Sequence, residues 1–232
     1  FWLGCIFFYK IVRLRFGDWR LGLLGALLLV LSPRIFANAF YNTKDLVLLP
    51  CFILATYTLI RFVQRRMLKY ALLHGIACAV LINVRILGLI IPVMTVGWMV
   101  TDILQNRFQR KILLDYLKVF SVFAVVAPVL TVAFWPYLWE APVERFVEVF
   151  TLLSDYNLWG GDVLLCGKFY ILDEIPWFYL PSLILITNPV IYLLLFLIGT
   201  IATLANLFSS IRQFRIFRNT AGLIDLTALA LF

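Results

Sequence analysis

Charge is scarce in this chain. Asp, Glu, Lys and Arg together make up 14% of its 232 residues, against 64% hydrophobic ones. About a quarter of an ordinary soluble domain is charged, so that class is excluded. Histidine is scarcer still, with His74 alone. The four cysteines, Cys5, Cys51, Cys78 and Cys166, show no CxxC or other metal-ligand spacing. That argues against a zinc site or a disulfide framework. Three of them lie in apolar runs and read as packing residues, while Cys166 falls in a loop expected outside the cytoplasm. The chain also lacks a glycine-rich phosphate loop, a nucleophile elbow, an internal repeat and any low-complexity tract.

What is present is a succession of apolar runs near membrane-spanning length. Backbone groups in lipid must find their partners within the segment. The expected fold is therefore all-α, a polytopic transmembrane helical bundle, with residues 1–232 as one transmembrane domain. The net charge of +8 does not point to nucleic acid, because the basic residues stand in short clusters between apolar runs. That is the positive-inside pattern. The chain opens at Phe1 inside one apolar run and closes inside another, Leu223–Phe232, with no signal peptide. It reads as an internal fragment of a larger chain.

Phe1–Tyr9 reads as the end of a span, followed by a basic cytoplasmic segment, Lys10–Arg20. Leu21–Leu31 runs outward to Ser32–Pro33, and Leu46–Ile60 returns to Arg61, Arg65, Arg66 and Lys69. Tyr70–Val100 is almost continuously apolar and would be about 45 Å long as one helix. Its two flanks are both basic, so an even number of crossings is required. Two short helices with a turn near Asn83–Gly88 are expected, with Arg85 at the turn. Tyr116–Trp135 leads outward to a long extracytoplasmic loop, 136–175. Within it, Val143, Phe146, Val147, Phe150 and Leu153 alternate at helical spacing with Glu144, Glu148, Thr151 and Asp155. That predicts an amphipathic helix on the membrane surface. Trp135, Trp139, Trp159 and Trp177 are placed as interfacial anchors. One long span, Phe178–Leu207, is expected to return to Arg212, Arg215 and Arg218.

The charges support this layout. The four cytoplasmic segments hold fifteen of the twenty Lys and Arg. Asp45, Glu140, Glu144, Glu148, Asp155, Asp162, Asp173 and Glu174 all fall outside. A site built on carboxylates should face away from the cytoplasm. Within Ser32–Asp45, SPRIFANAFYNTKD, Asp45 stands beside Lys44 at the head of an apolar helix. Ionisable groups at membrane depth usually face a wet cavity or a partner, and a carboxylate there is favoured by the helix dipole.

SPRIFANAFYNTKD, NVRILGLIIP, and GKFYILDEIPWFYLP followed by ITNP resemble the glycosyltransferase family 39 type of membrane enzyme. These are relatives of the protein O-mannosyltransferases, within the GT-C superfold. The resemblance spans Phe16–Asn188. It implies a multi-pass integral membrane protein, of a bacterial inner membrane or the endoplasmic reticulum, surrounded by membrane lipids. It also implies transfer of a sugar from a polyprenyl-phosphate donor to a glycan, lipid or protein acceptor on the extracytoplasmic side. By the same resemblance, Asp45 matches an acidic position of an outer loop, and Lys44 and Arg85 match basic positions near the donor phosphate. The family's principal catalytic carboxylate would lie upstream of Phe1.

Such a reaction needs a base for the acceptor and cations for the leaving phosphate. Asp45 is then a supporting catalytic residue that orients the acceptor or holds a divalent cation, which is left open as a cofactor. Its bland reading is a helix cap paired with Lys44 or Arg34. The planar fork of Arg85 suits phosphate oxygens; its bland reading is a ligand of turn carbonyls. Asn42 and Tyr41 are candidates for sugar hydroxyls, and Asp162, Lys168, Asp173 and Glu174 for acceptor contacts. His74, expected near a cytoplasmic end without partners, reads as a packed histidine. Two other functions compete: a transporter or flippase of lipid-linked substrates, and a non-catalytic membrane subunit. A transporter should show repeats and broken helices in matching halves.

Overall fold

The computed structural model describes residues 1–154, 161–171, 174–212 and 220–231. Eleven α-helices and one two-stranded hairpin are the regular elements among them. The all-α membrane bundle is the observed architecture. Asp155, Trp159, Asp173, Arg215 and Arg218 lie outside the described residues.

α1 (Trp2–Phe16) carries the first basic residues on its last turns and ends at Gly17, in the left-handed region at φ 72°. Glycine takes that conformation without a Cβ penalty. Asp18 then caps α2 (Trp19–Leu31), its side chain accepting from the Arg20 amide at 2.8 Å. Ser32 is extended and Pro33 opens α3 (Pro33–Tyr41), so the chain bends by 54° between the two helices. A residue before proline is pushed out of the helical region, and proline itself suits the first helical position. The stretch Ser32–Asp45, matched to an outer loop, is thus largely a short helix.

α4 (Asp45–Arg65) returns through 21 residues and ends at Arg66, itself left-handed. α5 (Leu68–Val84) leads to Arg85, which is extended, and to a 3-10 turn at Ile86–Leu89. α6 (Ile90–Gln105) follows. The expected hairpin is present: His74 on α5 meets Thr95 on α6 at 2.8 Å, and Arg66 before α5 meets Asp102 near the end of α6 at 2.6 Å. Residues on either side of Arg85 therefore lie level with one another. α7 (Arg110–Phe134) then runs back toward the Arg85 end.

α5 sits at the centre, against α4 and α7. Lipid offers no hydrophobic force to press helices together, so close approach depends on small side chains. Ala71, Gly75, Ala77, Cys78 and Ala79 are all buried on α5. A Cβ at Gly75 would stand 2.9 Å from Val126 of α7, so glycine sets that approach. Phe62, Phe123 and Tyr116 fill the remaining space.

His74 lies in this core. It has partners, contrary to expectation: Thr58 Oγ1 at 2.9 Å from Nδ1, Thr95 Oγ1 at 2.8 Å from Nε2, and Phe123 stacked on the ring at 5.0 Å between centroids. The sequence places it six residues into α5. The two hydroxyls come from helices that only tertiary packing brings beside it.

The segment after α7 begins with a 3-10 turn at Pro136–Leu138 and α8 (Pro142–Ser154), the expected amphipathic helix. A hairpin of β1 (Val163–Leu165) and β2 (Lys168–Tyr170) follows, with Cys166 and Gly167 at its turn, both at positive φ. The expected single span Phe178–Leu207 is instead two helices, α9 (Tyr179–Thr187) and α10 (Val190–Arg212), bent by 119°. Pro189 has no amide hydrogen to continue a helix, and Asn188 before it is extended (φ −108°, ψ 139°). α11 (Thr220–Leu231) packs against α1 and α10. Three units among the described residues are long and apolar enough to cross a membrane: α4, Ile86–Gln105 and α7. The number reaches five if each bent pair is one span.

Candidate active site

The Arg85 turn and the head of α4 come together at one end of the bundle. Arg85 Nη2 lies 3.0 Å from Asp45 Oδ1, with both side chains about half exposed (47% and 52%). The other carboxylate oxygen, Oδ2, accepts from Asn42 Nδ2 at 2.8 Å, while Asn42 Oδ1 accepts the Asp45 backbone N–H at 3.0 Å. Asn42 also meets Asn38 Oδ1 at 3.3 Å. Asn42, two residues before the N-cap position Lys44, therefore secures the first N–H of α4, and Asp45 is left to hold the guanidinium. Asp45 does not pair with Lys44 or Arg34 as its bland reading supposed: it pairs with Arg85, and Arg34 donates to Thr187 at 3.2 Å.

Beside this pair opens a cleft of about 940 Å³. Lys44, Asn83 and Arg85 form its polar wall, and Trp135, Val149 and Phe150 face them. α8 closes the far side, seated by Phe146 against the Trp135 ring at 6.3 Å between centroids. A second cavity of about 550 Å³ lies under the first turns of the same apolar face of α8, sharing Ile82 and Leu89 with the first. Phe120, Pro128, Phe146 and Val147 help to line it, and its walls are almost wholly apolar.

Of the sequence-predicted site residues, Lys44, Asp45 and Arg85 converge, and Asn42 supports them from behind. Tyr41 does not join them. It is 72% exposed at the last turn of α3 and does not line the cleft. Asp162, Lys168 and Glu174 are exposed and likewise outside the cleft lining. Among the described residues, the cleft wall offers two cations and no carboxylate; Asp45 stands behind it with both oxygens engaged, by Arg85 and Asn42. That donor set suits an anion and does not fit a divalent metal. Among the described residues, no three His, Cys, Asp or Glu come together to hold one.

Arg145 is committed elsewhere. It pairs with Glu140 and Glu148 at 3.0 Å each, and Tyr137 donates to Glu148 at 2.9 Å. Arg145 and Tyr137 hold the Glu148 carboxyl below the usual carboxylate range.

Sequence reasoning missed the polar cluster at the opposite, basic end. Asp102, 2% exposed, accepts from Arg66, the Tyr116 hydroxyl at 2.6 Å and Asn106 at 2.9 Å. Asp225 of α11 receives both Arg15 Nε and Arg15 Nη2, the latter at 2.7 Å. An aspartate four residues before Asn106, at the end of an apolar run, was the available signal.

A sequence model of the dolichyl-phosphate-mannose-protein mannosyltransferase family matches residues 2–132, more than half of the chain. The match includes Asn42, Lys44, Asp45 and Arg85 and stops short of the motifs at 167–189. No curated protein and no solved structure matches the chain. The chain belongs to this family of membrane glycosyltransferases.

Proposed function

We propose that this member of the dolichyl-phosphate-mannose-protein mannosyltransferase family moves a sugar from a polyprenyl-phosphate donor to a glycan, lipid or protein acceptor on the extracytoplasmic side. The observation that carries this reading is the convergence of Lys44 and Arg85 on one cleft that adjoins an apolar cavity. A polyprenyl-phosphate needs both, cations for its head and an apolar wall for its chain.

Arg85 and Lys44 would balance the charge that grows on the phosphate as the glycosidic bond breaks. Asp45 acts through Arg85 and is a positioning residue: it fixes the fork from one side and leaves the other side free for phosphate oxygens. The base that takes the acceptor proton is assigned, by the family resemblance, to a carboxylate upstream of Phe1. The basic clusters at the opposite end of the bundle support an extracytoplasmic cleft.

The test is turnover and donor affinity of Arg85→Gln and Arg85→Lys in the full-length protein, with a polyprenyl-phosphate sugar. Loss of one charge-stabilising group is expected to cost about 10²- to 10³-fold in turnover. Arg85→Lys should recover only part of it, because an ammonium lacks the fork. Unchanged turnover in Arg85→Gln would remove the cleft from the reaction.

A further inference from the structure

The basic end of the bundle holds another cleft, which the glycosyl-transfer reading does not use. It lies between α1 and α4, has a volume of about 500 Å³, and is lined by Lys10, Arg13, Leu14, Gly17, Tyr57 and Arg61. Helical spacing explains the convergence. Lys10, Arg13 and Gly17 follow one another at three and four residues on α1, and Tyr57 and Arg61 at four on α4. At Gly17, nothing stands within 4 Å of where a Cβ would be, so the mouth of the cleft is open.

These cations are placed by aromatic rings. Arg61 Nε donates to the Tyr57 hydroxyl at 3.2 Å, and its guanidinium carbon stands 5.4 Å from the ring centre. The Lys10 ammonium lies 4.7 Å from the Phe7 centroid and 5.8 Å from that of Tyr57. Such contacts hold a cation without neutralising it. Among the described residues, no salt bridge joins Lys10, Arg13 or Arg61 to a carboxylate. The acids at this end are engaged elsewhere: Asp225 with Arg15, Asp102 with Arg66, and Asp18 with the Arg20 amide. Asp115 sits on α7, which does not line the cleft.

We propose that this cleft binds the phosphate of an anionic phospholipid headgroup from the leaflet at the basic end. The cations alone would suit any phosphate. The lipid source follows from what adjoins them: Leu3 and Ile6, both about half exposed, continue the Lys10–Arg13–Gly17 stripe at the same three- and four-residue spacing toward the apolar half of α1. A headgroup in the cleft would lay an acyl chain along that stripe. Basic pockets between spanning helices are suited to such headgroups, with each cation adding to the attraction.

The test uses the full-length protein in detergent, stripped of lipid, with fluorescent phosphatidylglycerol as the probe. Phosphatidylglycerol, phosphatidylcholine and inorganic phosphate are the competitors. Phosphatidylglycerol should displace the probe at least about tenfold more tightly than phosphatidylcholine, and inorganic phosphate at matched concentration should not displace it. Lys10→Gln/Arg13→Gln/Arg61→Gln together should weaken binding about 10²-fold. Arg13→Gln alone, at an exposed position, should weaken it about fivefold, which keeps the test decisive should the triple variant misfold. Arg65→Gln, at the same end but outside the cleft, should change nothing. Equal binding of the two lipids, equal effects of Arg13→Gln and Arg65→Gln, or displacement by inorganic phosphate would each overturn the assignment.

Discussion

Replacing Asp45 by asparagine removes one negative charge and little else. The start of α4 is secured by Asn42 Oδ1 on the residue-45 backbone N–H, a bond that does not involve the substituted side chain. Asparagine can also still serve as a cap. What is lost is the charged partner of Arg85 at 3.0 Å. Both side chains are about half exposed, so solvent screens the pair and the stability lost should be about 1 kcal/mol or less. The effect on the reaction should be larger. A guanidinium released from its anchor is misplaced by roughly an ångström, which costs on the order of 10²-fold, or about 2.7 kcal/mol of barrier. Donor affinity should hold or rise, because the variant cleft is more positive toward phosphate. The signature of Asp45→Asn is thus a fall in kcat without a rise in KM for a polyprenyl-phosphate sugar, in a full-length protein whose melting temperature barely moves. Near-normal turnover would reduce Asp45 to a structural residue. A rise in KM with unchanged kcat would mean that it meets the donor directly.

Three further outcomes are expected. For topology, with the exposed Cys166 replaced by serine, a cysteine placed at Gly160 should react with an impermeant thiol reagent added from outside, and one at Gln105 should not; the reverse pattern would invert the proposed orientation. At the basic end, Asp102→Asn should lower the melting temperature more than Asp45→Asn does, since it leaves the Arg66 guanidinium without its carboxylate in a nearly buried setting (Asp102 is 2% exposed). The cost should be about 3–5 kcal/mol, and equal melting of the two variants would contradict it. For α8, the Glu148 carboxyl is held low by Arg145 and Tyr137. Its contribution is therefore complete above the ordinary glutamate range and is lost as the pH falls through the depressed value. Backbone amides of α8 should exchange faster at about pH 3 than at about pH 6 after correction for intrinsic rates, and Glu148→Gln should flatten that difference.

Local signals carried the sequence reading a long way. Gly17, Pro33 and the basic clusters mark where helices stop, and the run Tyr70–Val100 with basic residues on both flanks can be satisfied only by a hairpin. The 3.6-residue period of Val143–Leu153 marks α8 without any knowledge of its neighbours. Asp45, Lys44 and Arg85 were legible as candidates because charge in an apolar chain is conspicuous. Pro189 was an equally local signal for the break between α9 and α10, and hydropathy alone passed over it because the residues on both sides are apolar.

Partnership was decided only by the packed bundle. Asp45 and Arg85 are forty residues apart in sequence. Their contact depends on α4 and α5 lying antiparallel, and on α5 being short enough to bring its end level with the head of α4. The choice of Arg85 over Lys44 or Arg34 as the partner is likewise tertiary, as are the Thr58 and Thr95 hydroxyls on His74 and the gathering of Arg66, Tyr116 and Asn106 around Asp102. The sequence by itself determined where this chain crosses, turns and carries charge, because helix ends and apolar length are set within a few residues. Which charges meet was settled by helix packing, because small residues on α5 determine how closely its neighbours approach and therefore which side chains come within reach.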